Sequence, residues 1–242
     1  MRRVAALALA VALVAGCGSG PATHRPAPVA DGFTPQPGGA PARPHGRYLT
    51  ARLLAPARLR AAPGGRVVAR LRTHTEFGSP KVLGVVRRRA GWLEVLTPER
   101  ANGRPAWIRA SAVSLGGTDL AVRVDRSARR LELLRGRRVL RRMPVAVGRP
   151  GTPTPLGRFA VTDKLRTGRA DSPYGCCALA LSGHQPRLID GWPGGDRLAI
   201  HATPQPETIG RAASLGCMRV PTGGVRELMR RVPLGTPVFI RA

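Results

Sequence analysis

Aromatic residues and lysine are both scarce in this chain. Aromatics make up only 4% of its 242 residues, whereas glycine and proline number 30 and 24. That balance argues against a helical bundle and favours short strands joined by many turns. Only Lys81 and Lys164 are lysines, so the formal net charge of +27 comes almost wholly from arginine. Such a charge indicates either a solvated basic surface or attraction to an anionic polymer or membrane.

The N-terminus has the three regions of a secretory signal. Two arginines follow Met1, and the unbroken apolar run from Val4 to Val14 is too short to cross a bilayer as a stable helix. The run ends at Val14-Ala15-Gly16-Cys17, which resembles the lipobox of bacterial lipoproteins. The resemblance implies a signal peptide over residues 1–17 and a lipid on Cys17. An ordinary cleavage site with an incidental cysteine is the alternative.

Residues 18–47 are rich in proline and glycine and contain almost no large apolar side chains. They cannot bury enough surface to fold, so we expect a linker. With a lipid on Cys17, the protein would be extracytoplasmic, in the cell envelope, and held to the membrane. Because little nucleic acid is present there, wall polymers and lipid headgroups are the expected counterions, and no nucleic-acid partner is predicted.

Residues 48–116 contain short runs rich in valine and leucine, separated by turn signals about every ten residues. This pattern predicts a small β-barrel. The segments Gly91-Trp92-Leu93-Glu94-Val95 and Ala106-Trp107-Ile108-Arg109 resemble the closing strands of bacterial SH3-like domains. Trp92 and Trp107 are interpreted as core residues, because large aromatics usually serve packing. A wall-binding or substrate-positioning role for this unit is the alternative.

Residues 118–242 form a second, mainly β unit with one or two short helices. Strands are predicted at 120–124, 130–134 and 138–147, with a two-residue hairpin turn at Gly136-Arg137. A rigid loop follows from Gly148 to Phe159, because it holds three prolines and three glycines. Helical spacing of apolar residues from 225 to 232 predicts a helix that Thr222 caps and Pro233 ends, before a closing strand at 234–240.

A cysteine and a histidine are the candidate catalytic pair. Without Cys17, three cysteines remain, and an odd number indicates at least one free thiol. Cys217 is the best candidate, because Gly216 before it permits a tight turn and close backbone approach. His201 ends an apolar, strand-like run sixteen residues earlier, and an imidazole can accept a thiol proton. His184 lies in a turn and is interpreted as a surface or supporting residue.

Cys176 and Cys177 are adjacent in the chain. Their Cα atoms are ~3.8 Å apart, below the usual disulfide range of about 4.4–6.8 Å, so buried, unbridged residues are the favoured interpretation. A vicinal disulfide and a thiol that protects Cys217 from oxidation are the alternatives. A zinc site that adds His184 lacks the usual ligand spacing, so no metal is predicted.

These motifs together resemble the L,D-transpeptidase (YkuD-like) family. The family signature is a histidine, a spacer in the mid-teens and then [Ser/Thr]-x-Gly-Cys-x-[Arg/Asn], which His201 and Ser214–Arg219 match. Thr154-Pro155-Leu156-Gly157-Arg158-Phe159 matches its "TPxGxF" element, and the Tyr174 and Gly194-Gly195-Asp196 segments fall where similar segments do. The resemblance covers residues 120–240 and implies a β-sandwich-type catalytic domain.

The resemblance also implies the role of each site residue. Cys217 is the nucleophile and His201 the base. Gly216 and the Cys217 amide belong to the oxyanion hole, while Ser214, Arg219 and Tyr174 shape the turn or bind substrate. The family's third member is a backbone carbonyl, so no Asp or Asn partner is required. Ala202 and Leu215 depart from the usual residues at their positions, and no cofactor is implied.

The implied activity is a peptidoglycan L,D-transpeptidase that makes 3→3 crosslinks between stem peptides, with Cys217 as the implied target of carbapenems. An L,D-carboxypeptidase, with water as acceptor, and a catalytically silent wall-binding lipoprotein are the alternatives. A sortase would place its arginine a strand away from the cysteine. In papain-like wall endopeptidases the cysteine precedes the histidine, whereas here His201 precedes Cys217.

Overall fold

The computed structural model describes residues 33–35, 46–169, 171–187 and 194–242. The predicted signal peptide, Cys17 and most of the predicted linker lie outside these residues. Strands dominate the described chain, so the prediction of a mainly β protein is confirmed. They form two large sheets and a two-stranded pair, with one α-helix and two short 3-10 helices at Ala110–Ala112 and Pro206–Thr208.

The N-terminal sheet has seven strands. Its own apolar core includes Leu59, Leu83, Val95 and Ile108. The strands are β2 (Tyr48–Leu53), β3 (Ala57–Arg60), β4 (Val67–Leu71), β5 (Val82–Arg89), β6 (Trp92–Leu96), β7 (Ala106–Arg109) and β8 (Val113–Thr118). Across the sheet they lie in the order β4-β3-β7-β6-β5-β2-β8, and all neighbouring strands are antiparallel. Short turns join β3 to β4 and β5 to β6, as antiparallel pairing allows.

Two tryptophans of this sheet are buried, with 7% of Trp92 and 5% of Trp107 exposed. Arginine side chains lie over both rings: Arg109 is 4.5 Å from the Trp92 centroid and Arg87 is 5.2 Å from that of Trp107. The rings therefore offer little free surface to a ligand, in line with the packing role expected for them.

The strands of the C-terminal sheet are β9 (Leu120–Asp125), β10 (Arg130–Arg135), β11 (Arg138–Pro144), β13 (Gly157–Arg166), β14 (Cys177–His184), β15 (Arg197–His201), β17 (Met218–Arg219) and β18 (Pro237–Arg241). Across the sheet they follow the order β11-β10-β9-β18-β13-β14-β15-β17. The separate pair consists of β12 (Val147–Gly148) and β16 (Ala212–Ser214). Helix α1 (Thr222–Arg231) buries Val225, Leu228 and Met229 in the same core as β14 and β15.

The local predictions for this unit hold with small corrections. Arg135 pairs with Arg138, so Gly136-Arg137 is the predicted two-residue turn. The strand predicted over 138–147 is wrong in extent, because β11 ends at Pro144 and β12 begins at Val147. Pro221, not Thr222, is the N-cap residue of α1, and Thr222 is already helical.

A short strand in the predicted linker contradicts the expectation that the whole of it is unstructured. Strand β1 (Thr34–Pro35) pairs with Arg166 and Leu165 of β13. The Phe33 ring lies 5.4 Å from the Tyr174 ring and 6.3 Å from the Phe77 ring, edge-on in both cases. Composition alone could not reveal this, because the segment is stabilised by a sheet edge and aromatic rings from distant parts of the chain.

The two sheets contact each other closely. Gly84 of β5 lies so near β13 that an added Cβ would be 2.8 Å from the Ala160 Cβ. The Arg158 guanidinium donates to the Val85 carbonyl at 3.1 Å, and the Thr75 hydroxyl donates to the buried Asp163 carboxylate. The N-terminal sheet is therefore in direct contact with the unit that carries the candidate site. In the described parts of the chain, no helix has the length and apolar character needed to cross a membrane.

Candidate active site

Two adjacent parallel strands bring the predicted pair together. Strand β15 ends at His201, and β17 begins one residue after Cys217. Ile200 pairs with Met218 and His201 with Arg219. Leu198, Ala199 and Ile200 are all buried, as expected of a strand that is covered on both faces. The apolar run that predicted this strand therefore fixes His201 at the edge of the core.

His201 is held in one orientation by its neighbours. Its Nδ1 atom lies 2.5 Å from the Ala202 carbonyl oxygen, and its ring lies edge-on to Tyr174 with centroids 5.0 Å apart. Because a carbonyl oxygen only accepts, Nδ1 carries the proton and Nε2 is left with a free lone pair. Burial lowers the pKa of His201 to about 4, against a partial opposing effect of the Ala202 carbonyl.

Cys217 is the free cysteine of the described chain and is half-buried. Its Sγ atom lies 3.7 Å from the Arg197 carbonyl oxygen. Burial raises the pKa of the Cys217 thiol to about 11. At neutral pH the pair is therefore an uncharged thiol beside an uncharged imidazole. A thiol in this state can act as a nucleophile only if its proton leaves as the sulfur attacks.

Hydrogen bonds within the turn set the backbone around Cys217. The Ser214 hydroxyl donates to the Cys217 carbonyl at 2.6 Å, and the Gly216 N–H donates to the Ser214 hydroxyl at 3.1 Å. Gly216 has φ +122°, a conformation that favours glycine. Because its N–H is already used, Gly216 contributes to the site through this conformation, and the Cys217 amide remains the candidate oxyanion donor.

The proline-rich loop forms hydrogen bonds with the turn at residues 214–219, which contains the candidate nucleophile Cys217 and is called the nucleophile turn below. The fully buried Thr154 hydroxyl accepts from the Gly148 N–H and donates to the Gly216 carbonyl, both at 2.8 Å. The Thr152 hydroxyl donates to the Ser214 carbonyl at 3.3 Å. The threonines between the prolines therefore connect the loop to the nucleophile turn.

The candidate residues surround one cavity of about 280 Å³. Its lining includes Tyr174, His201, Ser214, Cys217 and Arg219 from the sequence predictions, and also Gln185, Arg187, Arg197 and Leu215. Gly216 lies behind the lining, and Cys17 is outside the described residues. A cavity of this size has room for part of a peptide stem, with the thiol and the imidazole on its wall.

Arg219 lies on the same wall of the cavity, and part of its guanidinium is already hydrogen-bonded to other residues. Its guanidinium donates to the Gln205 side-chain oxygen at 3.2 Å and to the Thr208 hydroxyl at 3.3 Å. Its Nε atom is buried without a hydrogen-bond partner in the described chain. Arg219 therefore supports the loop that follows His201 and keeps donor capacity close to the cavity.

Cys176 and Cys177 form a vicinal disulfide, so the favoured interpretation of two unbridged cysteines is wrong and one of its alternatives is correct. The bridge follows Tyr174 and Gly175 directly, and Cys177 belongs to the C-terminal core. Across the described residues, no group of three or more His, Cys, Asp or Glu side chains has the arrangement of a metal site.

Sequence reasoning missed Gln185, whose side chain contacts both the turn that contains Cys217 and the proline-rich loop. Its side-chain nitrogen lies 3.0 Å from the Leu215 carbonyl and 3.2 Å from the carbonyls of Thr152 and Pro153. Gln185 follows His184 in a Ser-Gly-His-Gln-Pro segment that resembled an ordinary surface turn. Nothing local in the sequence reveals a contact with residues thirty positions away.

Comparisons with known proteins identify relatives of the C-terminal unit. The model of the L,D-transpeptidase catalytic domain (YkuD) family matches residues 119–240. "Putative L,D-transpeptidase YkuD" of Bacillus subtilis is 34% identical over 119 residues, which is 49% of this chain and 64% of that protein. YqjB of the same organism, described in the same way, is 32% identical over 106 residues, which is 40% of this chain and 56% of that protein. The chain thus spans less than two thirds of the length of these relatives.

Among solved structures, an L,D-transpeptidase from Mycobacterium tuberculosis aligns over 86% of this chain and 95% of its own, with 16% identity and a TM-score of 0.46. One from Mycobacterium smegmatis aligns over 87% and 97%, with 18% identity and a TM-score of 0.43. The family match covers half of the chain and contains both the histidine strand and the cysteine turn. Through residues 119–240, this chain belongs to the L,D-transpeptidase catalytic domain (YkuD) family.

Proposed function

We propose that the protein is a peptidoglycan L,D-transpeptidase that forms 3→3 crosslinks through a thioester on Cys217. One observation carries the proposal: the Nδ1 atom of His201 faces the Ala202 carbonyl, so Nε2 is free to accept a proton, and His201 and Cys217 line one cavity. Family membership supports acyl transfer on peptidoglycan stem peptides.

In the first half-reaction, the Cys217 thiol gives its proton to His201 Nε2 while Sγ attacks the carbonyl carbon of the third stem residue. The Cys217 amide stabilises the oxyanion. A carbon–sulfur bond forms, the carbon–nitrogen bond to the terminal D-Ala breaks, and the leaving amine takes the proton from His201. Arg219 and Tyr174 contact the donor stem, and Ser214 keeps the turn in shape.

In the second half-reaction, the side-chain amine of a diamino acid on a neighbouring stem attacks the thioester carbon. A new carbon–nitrogen bond forms, the carbon–sulfur bond breaks, and the proton lost by the amine returns through His201 to the Cys217 sulfur. With water as the attacking group, the product would be a shortened stem, which is the carboxypeptidase reaction. No step uses a cofactor.

The remaining sequence predictions complete the proposal. Residues 1–17 are a lipoprotein signal peptide with Cys17 as the lipidated residue, and residues 18–47 are the linker. Residues 48–116 are an SH3-like domain and residues 118–242 the catalytic domain. The protein then works in the cell envelope, outside the cytoplasmic membrane, to which the lipid holds it.

The test is a pair of mass measurements on the purified protein and its Cys217→Ala variant. A carbapenem should add its mass to the wild-type chain at Cys217 and leave the variant unmodified. Incubation with disaccharide-tetrapeptide should give a dimer that has lost one D-Ala. A tripeptide product alone would identify a carboxypeptidase, and neither adduct nor product would identify a catalytically silent protein. Crosslinking by the Cys217→Ala variant would overturn the proposal.

A further inference from the structure

The N-terminal sheet holds the end of strand β14 at His184. The Asn102 side chain donates to the His184 carbonyl at 2.7 Å and accepts from the His184 N–H at 2.9 Å. The His184 Nε2 atom lies 2.6 Å from the Pro98 carbonyl oxygen, so this nitrogen carries a proton. Pro98 and Asn102 both lie in the connection between β6 and β7. All three contacts are made with His184, so they fix the position of this one residue.

The other face of His184 connects β14 to the start of β15. Its Nδ1 atom is 3.0 Å from an Asp196 carboxylate oxygen, an ion-pair contact that is not aligned as a straight hydrogen bond. Next to it, the Gln185 N–H donates to the Asp196 carbonyl at 2.7 Å. The charged groups that face the imidazole are Asp196, which attracts its charge, and Arg197, which repels it. The two strand ends are therefore joined by a side-chain contact and a backbone hydrogen bond.

The residues that follow His184 and Asp196 in the chain both contact the nucleophile turn. Gln185 donates its side-chain N–H to the Leu215 carbonyl, two residues before Cys217. Arg197 presents its carbonyl to the Cys217 Sγ atom. His184 is thus connected to the turn through its neighbour Gln185, and to the sulfur through Asp196 and its neighbour Arg197.

We propose that Gln185 is a positioning residue for Cys217, and that the N-terminal sheet holds Gln185 in place through Asn102 and His184. The inference rests on Cys217 being the nucleophile of the proposed function. Asn102 does not line the catalytic cavity, so its effect on chemistry must pass through the turn. The N-terminal sheet then acts on the rate of acylation, in addition to any role in binding the wall.

The test uses the full chain with Asn102→Ala, Gln185→Ala and the double variant. Both single variants should acylate Cys217 with a carbapenem about 10- to 100-fold more slowly than wild type at saturating drug, because small displacements of a nucleophile are costly. The double variant should be no slower than Gln185→Ala alone, since both changes act on one path. Effects that multiply fully would overturn the coupling.

Arg158→Ala is the matched control. It removes another hydrogen bond between the two sheets, to the Val85 carbonyl, without a contact to Gln185 or the turn. This variant should acylate at the wild-type rate even if its melting temperature falls as far as that of Asn102→Ala. An equal slowing in both would mean general loosening of the interface and would overturn the positioning role.

A second measurement does not depend on the proposed function. Alkylation of Cys217 by iodoacetamide, followed by intact mass, should be several-fold faster in Asn102→Ala and Gln185→Ala, because the Sγ atom is no longer held against the Arg197 carbonyl. If the variants were alkylated faster but no carbapenem acylated the protein, the proposed function would be wrong and the positioning role would stand. Wild-type rates of both reactions in Asn102→Ala would overturn the positioning role alone.

Discussion

The side chain of Gln185 crosses so close to Gly216 that a Cβ on Gly216 would lie 2.1 Å from the Gln185 Nε2 atom. Two features therefore require glycine at position 216: its positive φ and the nearby Gln185 side chain. A side chain at position 216 would displace the Gln185 side-chain amide, which contacts the carbonyls of Thr152 and Pro153.

The Gly216→Ala variant should therefore be destabilised by more than the backbone strain of a positive φ, which costs about 1–2 kcal/mol. We expect carbapenem acylation to fall at least about tenfold as Gln185 is pushed aside. Gly210→Ala is the control, because Gly210 has φ +83° and an added Cβ would contact nothing within 4 Å. Stopped-flow acylation and thermal unfolding should separate the two; an identical effect in both would exclude a specific role for the Gln185 contact.

Thr154→Val should destabilise the protein and slow acylation. The Thr154 hydroxyl accepts from the Gly148 N–H and donates to the Gly216 carbonyl. The methyl group that replaces it in valine is isosteric but forms no hydrogen bond, so both backbone groups lose their partner. Each buried group left unpaired costs about 1–3 kcal/mol, measured here by urea unfolding.

Thr236→Val provides the comparison for that change. Thr236 is also fully buried, but its hydroxyl has no hydrogen-bond partner in the described chain. Its replacement should be neutral or stabilising. Equal losses of unfolding free energy in the two variants would contradict the supporting role of Thr154.

The acylation rate should depend little on pH near neutrality. Burial lowers the pKa of His201 to about 4, so the neutral base is already populated well below its ordinary titration range. Carbapenem acylation at saturating drug should be nearly constant from roughly pH 5.5 to 8.5 and fall only as pH approaches 4. A rise centred near the ordinary histidine pKa of about 6.5 would contradict the burial of this imidazole.

The His184–Asp196 pair should stabilise the fold most at mildly acidic pH. Burial opposes the charged imidazole, but Asp196 and the Pro98 carbonyl outweigh it and raise the pKa of His184. That stability is fully present below the ordinary histidine pKa and is lost as pH rises through the raised one. Conversely, the pair lowers the pKa of Asp196, whose contribution is lost as pH falls through that lowered value.

Asp196→Asn should therefore lower the melting temperature more near pH 6 than at alkaline pH, because the imidazole loses its charge as pH rises through the raised pKa of His184. The carbonyl that accepts from Gln185 is unchanged in this variant. Calorimetry across that range is the measurement, and a deficit that does not vary with pH would show that the imidazole carries no charge in the pair.

Local patterns predicted much of what surrounds the catalytic pair. The apolar run before His201 marked its strand, and Gly136-Arg137 marked a hairpin, because both signals lie within a few residues. Strand β14 was not predicted, although it pairs with the strands on both sides of it. The disulfide of Cys176 and Cys177 was disfavoured on average Cα spacing.

The supporting contacts of the site could not be predicted, because their partners are far apart in sequence. Asn102 and His184 are 82 positions apart, and Thr154 and Gly216 are 62 apart. A single sequence contains no signal for such pairs, since an asparagine in a turn and a threonine between prolines have common local explanations. Only the folded arrangement of the chain, between the two sheets for Asn102 and within the C-terminal unit for Thr154, distinguishes these residues from ordinary turn residues.

The pairing of Thr34–Pro35 with β13 also limits how far from the membrane the candidate active site can lie. Under the proposed lipidation, sixteen residue steps separate Cys17 from Phe33, and fully extended they span at most roughly 50 to 60 Å. The catalytic cavity would then reach only wall strands within that height of the membrane. In a thick wall, such an enzyme would join the newest, innermost stems and leave the older outer layers to other proteins.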